Sequence, residues 1–185
     1  MLTQDDALAL FRSNDLVGIG FQADAIRKQL HPEHVISYAL SVGKSAGEET
    51  GQVATLELTA QSTLDQRLNQ LVELREQQEQ TQRFLCFTVI TPGDGDVTAS
   101  EYMKMLAISR LYLDNIAHAQ APVGAIDTKL AQVAIRFGAN DLGVVDLENG
   151  GKGKTVSEEQ VRGLIRDAGL VPKQRDSLFR TYFLY

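Results

Sequence analysis

Two short polar clusters bracket one apolar segment: Asn140-Asp141 stands before Leu142 to Leu147, and Glu148-Asn149 follows it. If the segment is a strand of a parallel sheet, its carboxyl end is where such sheets gather ligands, and Glu148 and Asn149 are placed to hydrogen-bond a hydroxyl-rich molecule. Asp141 or Glu148 could also serve as a general acid or base. The same residue types equally serve turns and helix caps, so the pattern alone does not separate binding from architecture.

The remaining chemical motifs lose their mechanism when the surrounding residues are read. Gly18-Ile19-Gly20-Phe21-Gln22-Ala23 spells a dinucleotide fingerprint, but its glycines fall inside a helical segment with no strand before them. Gly153-Lys154-Thr155 resembles the end of a phosphate loop, yet Glu148 stands where that loop needs its first glycine. His31 and His34 are three apart, but Pro32 between them prevents one helix from presenting both rings to a metal. In Asp94-Gly95-Asp96 the position of a calcium loop's bidentate glutamate is taken by Met105. Cys86 is the single cysteine and lies in the apolar run Phe84 to Ile90, where a thiol is inert packing.

Hydrophobic periodicity supplies the elements that would position these groups. Residues 3 to 30 read as two short helices broken at Ser13-Asn14-Asp15, the second ending at His31-Pro32. Val35 to Val42 and Val53 to Leu58 read as strands, Leu64 to Gln82 as a helix, and Phe84 to Ile90 as a strand buried on both faces. Thr98 and Glu101 form a capping box for a helix over Ala99 to Asn115. Ala117 to Ala121 is a short strand, Asp127 to Phe137 a helix, Leu142 to Leu147 a strand, and Ser157 to Gly169 a helix closed by glycine, with Val171 to Tyr185 as a tail. Strand alternating with helix predicts a parallel sheet and the α/β class.

Composition bounds the rest. With 185 residues and 43% hydrophobic side chains, one globular domain covering 1–185 is expected, able to fold without disulfide or metal. Eighteen basic against 24 acidic residues leave a net charge of −6 without a basic cluster, which argues against nucleic acid. No apolar stretch approaches the ~20 residues of a membrane span, and the acidic start is no signal peptide, so the expected location is the cytoplasm.

A family resemblance rests on longer stretches. Leu10-Phe11-Arg12-Ser13-Asn14-Asp15-Leu16, Ala23-Asp24-Ala25-Ile26-Arg27 and Leu30-His31-Pro32 resemble the start of radical S-adenosylmethionine enzymes of the futalosine route to menaquinone. That family includes cyclic dehypoxanthine futalosine synthase and, more distantly, aminofutalosine synthase and the deazaflavin-cofactor synthases. The likeness resumes at Arg67, Leu74-Arg75-Glu76-Gln77-Gln78, Leu113-Asp114-Asn115-Ile116 and Gln120-Ala121, and is most specific over Gln132 to Gly143. Glu158 to Gly169, Pro172 and Gln174-Arg175-Asp176-Ser177-Leu178 resemble the family's closing helix and tail.

The resemblance covers the two ends of such an enzyme and omits its middle strands. It implies part of a TIM-like barrel: about five mainly parallel strands with outer helices over 35–185, preceded by a helical segment over 1–34. The family's three-cysteine motif, which holds the iron-sulfur cluster that cleaves S-adenosylmethionine, corresponds here to Gly43-Lys44-Ser45-Ala46-Gly47-Glu48-Glu49, without a cysteine. Neither that cluster nor S-adenosylmethionine is therefore expected as a cofactor, and no metal. The family's Gly-His appears as Thr59-Ala60 and a tryptophan as Val123, while Gly-Ala-Asn-Asp-Leu-Gly persists and Glu148-Asn149 is its shortened sequel. The candidate ligand set is thus Gln120, Asn140, Asp141, Glu148 and Asn149.

The expected function is that of a non-catalytic or degenerate relative binding a futalosine-type nucleoside or a partner enzyme. A non-radical enzyme using Asp141 or Glu148, and a subunit docking through open sheet edges on a full-length radical enzyme, are the alternatives. Because the last barrel strand pairs with the first, the retained strands should form one curved sheet with two open edges. A homodimer closing two half-barrels would cover them, and so would the aromatic tail Phe179 to Tyr185 folded inside.

Overall fold

The computed structural model describes residues 2–41, 52–92, 97–146 and 156–181. Helices α1 (Gln4–Arg12) and α2 (Leu16–Leu30) come first. Strands β1 (Val35–Ser41) and β2 (Val53–Glu57), helix α3 (Leu64–Thr81), strand β3 (Cys86–Ile90) and helix α4 (Ala99–Tyr112) follow. Then come β4 (His118–Gln120), α5 (Thr128–Ala134) with a 3₁₀ turn at Ile135–Phe137, β5 (Asp141–Asp146), α6 (Glu158–Asp167) and β6 (Val171–Gln174). Among the described residues no helix is long and apolar enough to cross a membrane.

Local signals set the helix starts. Thr3 with Asp6, Thr63 with Gln66, Thr98 with Glu101 and Ser157 with Gln160 each form a reciprocal capping box. Each box satisfies two backbone N–H groups that the first turn would leave without partners, and a cap of this kind contributes about 1 kcal/mol. Asp15 caps α2 by accepting from Gly18 N at 2.8 Å. Gly169, with φ at +75°, turns the chain out of α6 as a glycine past a helix end does.

Among the described residues six strands, all parallel, follow the order β2-β3-β4-β5-β1-β6. The first strand therefore lies beside β5, as the closing pair of a barrel would, and the architecture is α/β, an open portion of a TIM-like barrel. Val171 to Gln174, read from sequence as tail, is a sixth strand pairing with β1 from Val35↔Val171 to Tyr38↔Gln174. Pro172 hides that strand from sequence, because proline argues against a central strand. Val171 N and Arg175 N donate to β1, at His34 O and Tyr38 O, so the alternate residue Pro172 turns its missing donor to the outer edge, where none is needed.

The helices pack on one face. α4 lies deepest, with Tyr102, Met103, Met105, Leu106, Ala107, Ile108 and Tyr112 buried around its whole circumference. It packs with Leu56, Phe87, Val89 and Ala119 of the sheet and with Phe11, Ile19 and Ala23 of the N-terminal helices. Burying a side chain the size of Leu or Phe stabilises the fold by about 1.5–3 kcal/mol. A second cluster joins Ile36, Tyr38, Leu142 and Val145 to Val161 and Ile165 of α6.

Arg110 ends α4 from inside the core. Its guanidinium donates to Leu113 O at 2.7 Å, Ile116 O at 2.5 Å and Ala117 O at 3.2 Å. Burial lowers its pKa to about 10, which still leaves it charged at neutral pH beside the negative end of the helix. Gly138, at φ +98°, is required here, since a Cβ would lie 2.7 Å from the Arg110 Cγ.

Candidate functional site

Strand register carries one polar row across the sheet. Thr55 pairs with Thr88, Thr88 with Gln120, Gln120 with Asp141, Asp141 with Ser37, and Ser37 with Lys173. Directly paired residues share a face. Their neighbours along the strands, Leu56, Phe87, Ala119, Leu142 and Ile36, belong to the helix-side clusters, so the row lies on the opposite, inner face.

Asp141 is the centre of that row and is fully buried. Its Oδ2 accepts from Arg175 Nε at 2.5 Å and from Ser37 Oγ at 2.6 Å. Its Oδ1 accepts from Arg175 at 2.9 Å, Gln120 Nε2 at 3.0 Å and Gly143 N at 2.8 Å. Both oxygens are thereby spent, because a carboxylate offers about four lone-pair directions. The Gly143 contact depends on a bulge: the register against β1 slips between Ser37 and Ala39, and Gly143 takes φ +79°. A side chain at that position would meet Pro122 Cβ at 2.9 Å.

Arg175 comes from just beyond β6 and is itself buried, 2% exposed. Phe179 lies 3.9 Å below its guanidinium and stacks on His118 at 4.7 Å, and His118 in turn is 5.0 Å from His31. A short return of the chain places Phe179 there: Arg175 bridges Thr181 antiparallel, and Asp176 Oδ1 accepts from Leu178 N and Arg180 N at 2.9 Å each. His118 receives a hydrogen bond at Nδ1 from Asn140 Nδ2 at 2.8 Å. Burial, and then the neighbouring His31, push its pKa down to about 4, so the ring is neutral at physiological pH.

The sequence candidates separate along these lines. Asn140 Oδ1 accepts from Ala119 N at 2.9 Å, so its amide stitches β4 and His118 to the start of β5. Gln120 donates to Asp141, and its carbonyl accepts from Thr88 Oγ1 at 3.3 Å. Gln120 and Asp141 are thus bonded to each other, while the Asn140 side chain is held by the Ala119 backbone and the His118 ring. Glu148 and Asn149 lie outside the described residues, as do Gly43 to Glu49, Asp94-Gly95-Asp96 and Gly153-Lys154-Thr155. His31 turns its Nε2 to Ala117 O at 2.9 Å.

Ser37 and His118 are not singled out from sequence, Arg175 enters there only within the family-like closing segment, and Phe179 only as the start of the aromatic tail expected to fold inside. The available signal for Arg175 was the rule that a buried carboxylate keeps a cationic partner. The residues present do not fit the iron-sulfur cluster that the family resemblance implies. Cys86 is the single cysteine of the chain, fully buried on β3 with its thiol donating to Phe87 O at 3.4 Å, and one thiolate cannot hold a cluster. Among the described residues no group of three His, Cys, Asp or Glu side chains is placed to hold a metal.

Comparison with known proteins agrees with this architecture. Residues 74–183 match the family model for the CofH/MqnC C-terminal region. Cyclic dehypoxanthine futalosine synthase of Streptomyces coelicolor is 30% identical over 139 residues, covering 68% of this chain and 35% of that protein. The 5-amino-6-(D-ribitylamino)uracil--L-tyrosine 4-hydroxyphenyl transferase 2 of Methanosarcina mazei is 30% identical over 184 residues, 85% of this chain and 47% of its own. Aminodeoxyfutalosine synthase of Thermus thermophilus is 28% identical over 137 residues, 64% and 37% respectively. The chain spans 35% to 47% of the length of these three relatives.

Proposed function

The chain belongs to the CofH/MqnC family, and we propose that it is a non-catalytic member that binds a nucleoside-type small molecule through the inner face of its sheet. The observation that carries this reading is the bonding of Asp141. A carboxylate with both oxygens engaged by Arg175, Ser37, Gln120 and Gly143 is a strut, not a group free to take or deliver a substrate proton. Beside it the row continues as hydroxyls, Thr88 buried and Thr55 exposed, and the strand it belongs to leads into Glu148 and Asn149. Hydroxyl and amide groups on a rigid sheet suit the ribose and base edges of a nucleoside and supply no radical or acid-base chemistry. The single cysteine supports the same reading, because a radical mechanism of the kind implied by the resemblance needs a cluster this chain cannot ligate by itself.

The test is calorimetric titration with dehypoxanthine futalosine, aminofutalosine, 5-amino-6-(D-ribitylamino)uracil, S-adenosylmethionine and adenosine. A futalosine-type nucleoside should bind and remain unconverted. Thr88→Val, which removes one hydroxyl from the row, and Glu148→Ala with Asn149→Ala should each weaken binding about tenfold, the size of one lost hydrogen bond. No heat with any of the five compounds refutes the reading, and so does turnover of a futalosine-type substrate without iron or S-adenosylmethionine.

A further inference from the structure

We propose that the Gln70 side chain stands in for a missing neighbouring strand at the β2 edge and thereby keeps that edge from pairing with a second copy of the chain. Among the described residues β2 ends the sheet, with β3 as its single partner strand. Leu58 N donates to Ile90 O of β3, so the peptide groups of the alternate residues Glu57, Thr55 and Val53 face outward. Gln70, reaching over from α3, accepts from Glu57 N at 2.7 Å and donates to Glu57 O at 2.9 Å. One primary amide thus offers the acceptor and the donor that a parallel strand would offer, in the same place. Among the described residues the edge is otherwise open: Thr55, Glu57 and Gln70 line a groove of about 660 Å³.

The geometry identifies what the plug excludes. The opposite edge is blunted by Pro172, which lacks a donor, and by the bridge from Arg175 to Thr181, so a second copy that lays its β6 on β2 forfeits a ladder hydrogen bond there. The pairing that keeps every bond is β2 against β2 about a two-fold axis, antiparallel, with Thr55 opposite Thr55 and Val53 opposite Glu57. Val53 lines a groove together with Arg83 and Glu73, so this register brings Glu57 of one copy toward a groove of the other that carries one charge of each sign. With Gln70 in place, the Glu57 peptide is occupied and only the Thr55 pair can form. Without it, every outward peptide group of the strand has a partner.

Sedimentation and amide hydrogen exchange of the intact chain test this directly. The wild type should show a slow Glu57 amide, a fast Thr55 amide and no mass increase with concentration that depends on β2. Gln70→Leu should lose Glu57 protection when dilute, and when concentrated should double in mass with new protection at Thr55. Adding Thr55→Lys, which sets two ammonium groups opposite each other, should abolish that association. Gln70→Leu that never associates, association that survives Thr55→Lys unchanged, or a wild-type dimer with a protected Thr55 amide would each overturn the proposal.

Discussion

Replacing Arg175 by methionine removes the cation from a pair in which neither side chain reaches water, both being 0% exposed. The Asp141 carboxylate would keep its hydrogen bonds from Ser37, Gln120 and Gly143 but lose the only full positive charge bonded to it in the row. Breaking one half of a buried pair costs about 3–5 kcal/mol, because the remaining charge stays desolvated without compensation. Loss of the guanidinium over Phe179 adds about 1 kcal/mol. For a chain of this size each kcal/mol lowers the melting temperature by about 2–4 °C, so Arg175→Met should melt on the order of 10 °C early. Urea unfolding followed by circular dichroism at pH 7 measures the free energy. Asp141→Asn with Arg175→Met, which carries neither charge, should lose less than the two single variants added together. A cost for Arg175→Met below about 1 kcal/mol, as for a solvated surface pair, would refute the account of Asp141 as a strut.

Two further outcomes follow from the same region. His118 is held neutral with a pKa of about 4 against 6.5 for the free residue, so between those values the unfolded chain binds more protons than the folded one. Stability should therefore be full above pH 6.5 and fall toward pH 4 by about 3 kcal/mol from this group, and His118→Gln should flatten that part of a urea-midpoint profile. Gly143→Ala forces a side chain onto φ +79° and within 2.9 Å of Pro122, and should cost about 2 kcal/mol in the same unfolding assay.

The element order was readable because each helix carries its own start signal and each strand its own apolar run. Thr98 and Glu101 announce α4 without reference to anything distant, and the continuous apolar run Phe84 to Ile90 reads as a strand buried on both faces, which the observed strand, starting at Cys86, bears out with Cys86, Phe87, Thr88 and Val89 all buried. The family resemblance placed β1 beside β5, a pairing that no local pattern could suggest, since the two strands are about a hundred residues apart. β6 was missed for a local reason: four residues with a proline carry too little periodicity to outweigh the signal against a strand.

The row of polar residues was hidden for a different reason, which bears on what its members can do. Asn140 and Asp141 attract attention as a cluster, yet their meaning is set by Arg175, 34 positions later, and by Ser37, 104 positions earlier. A carboxylate beside an apolar strand reads the same in sequence whether it waits for a ligand or is already bonded. Only the register of β1, β4 and β5, together with the return of the chain at Phe179, distinguishes the two. The consequence reaches the binding assay, because Asp141 supports the sheet on which a ligand would rest. A variant there that binds nothing has lost its scaffold, and Thr88, whose buried hydroxyl donates to Gln120 O, shares part of that ambiguity, so Glu148 and Asn149 are the positions at which lost affinity would report on a ligand itself.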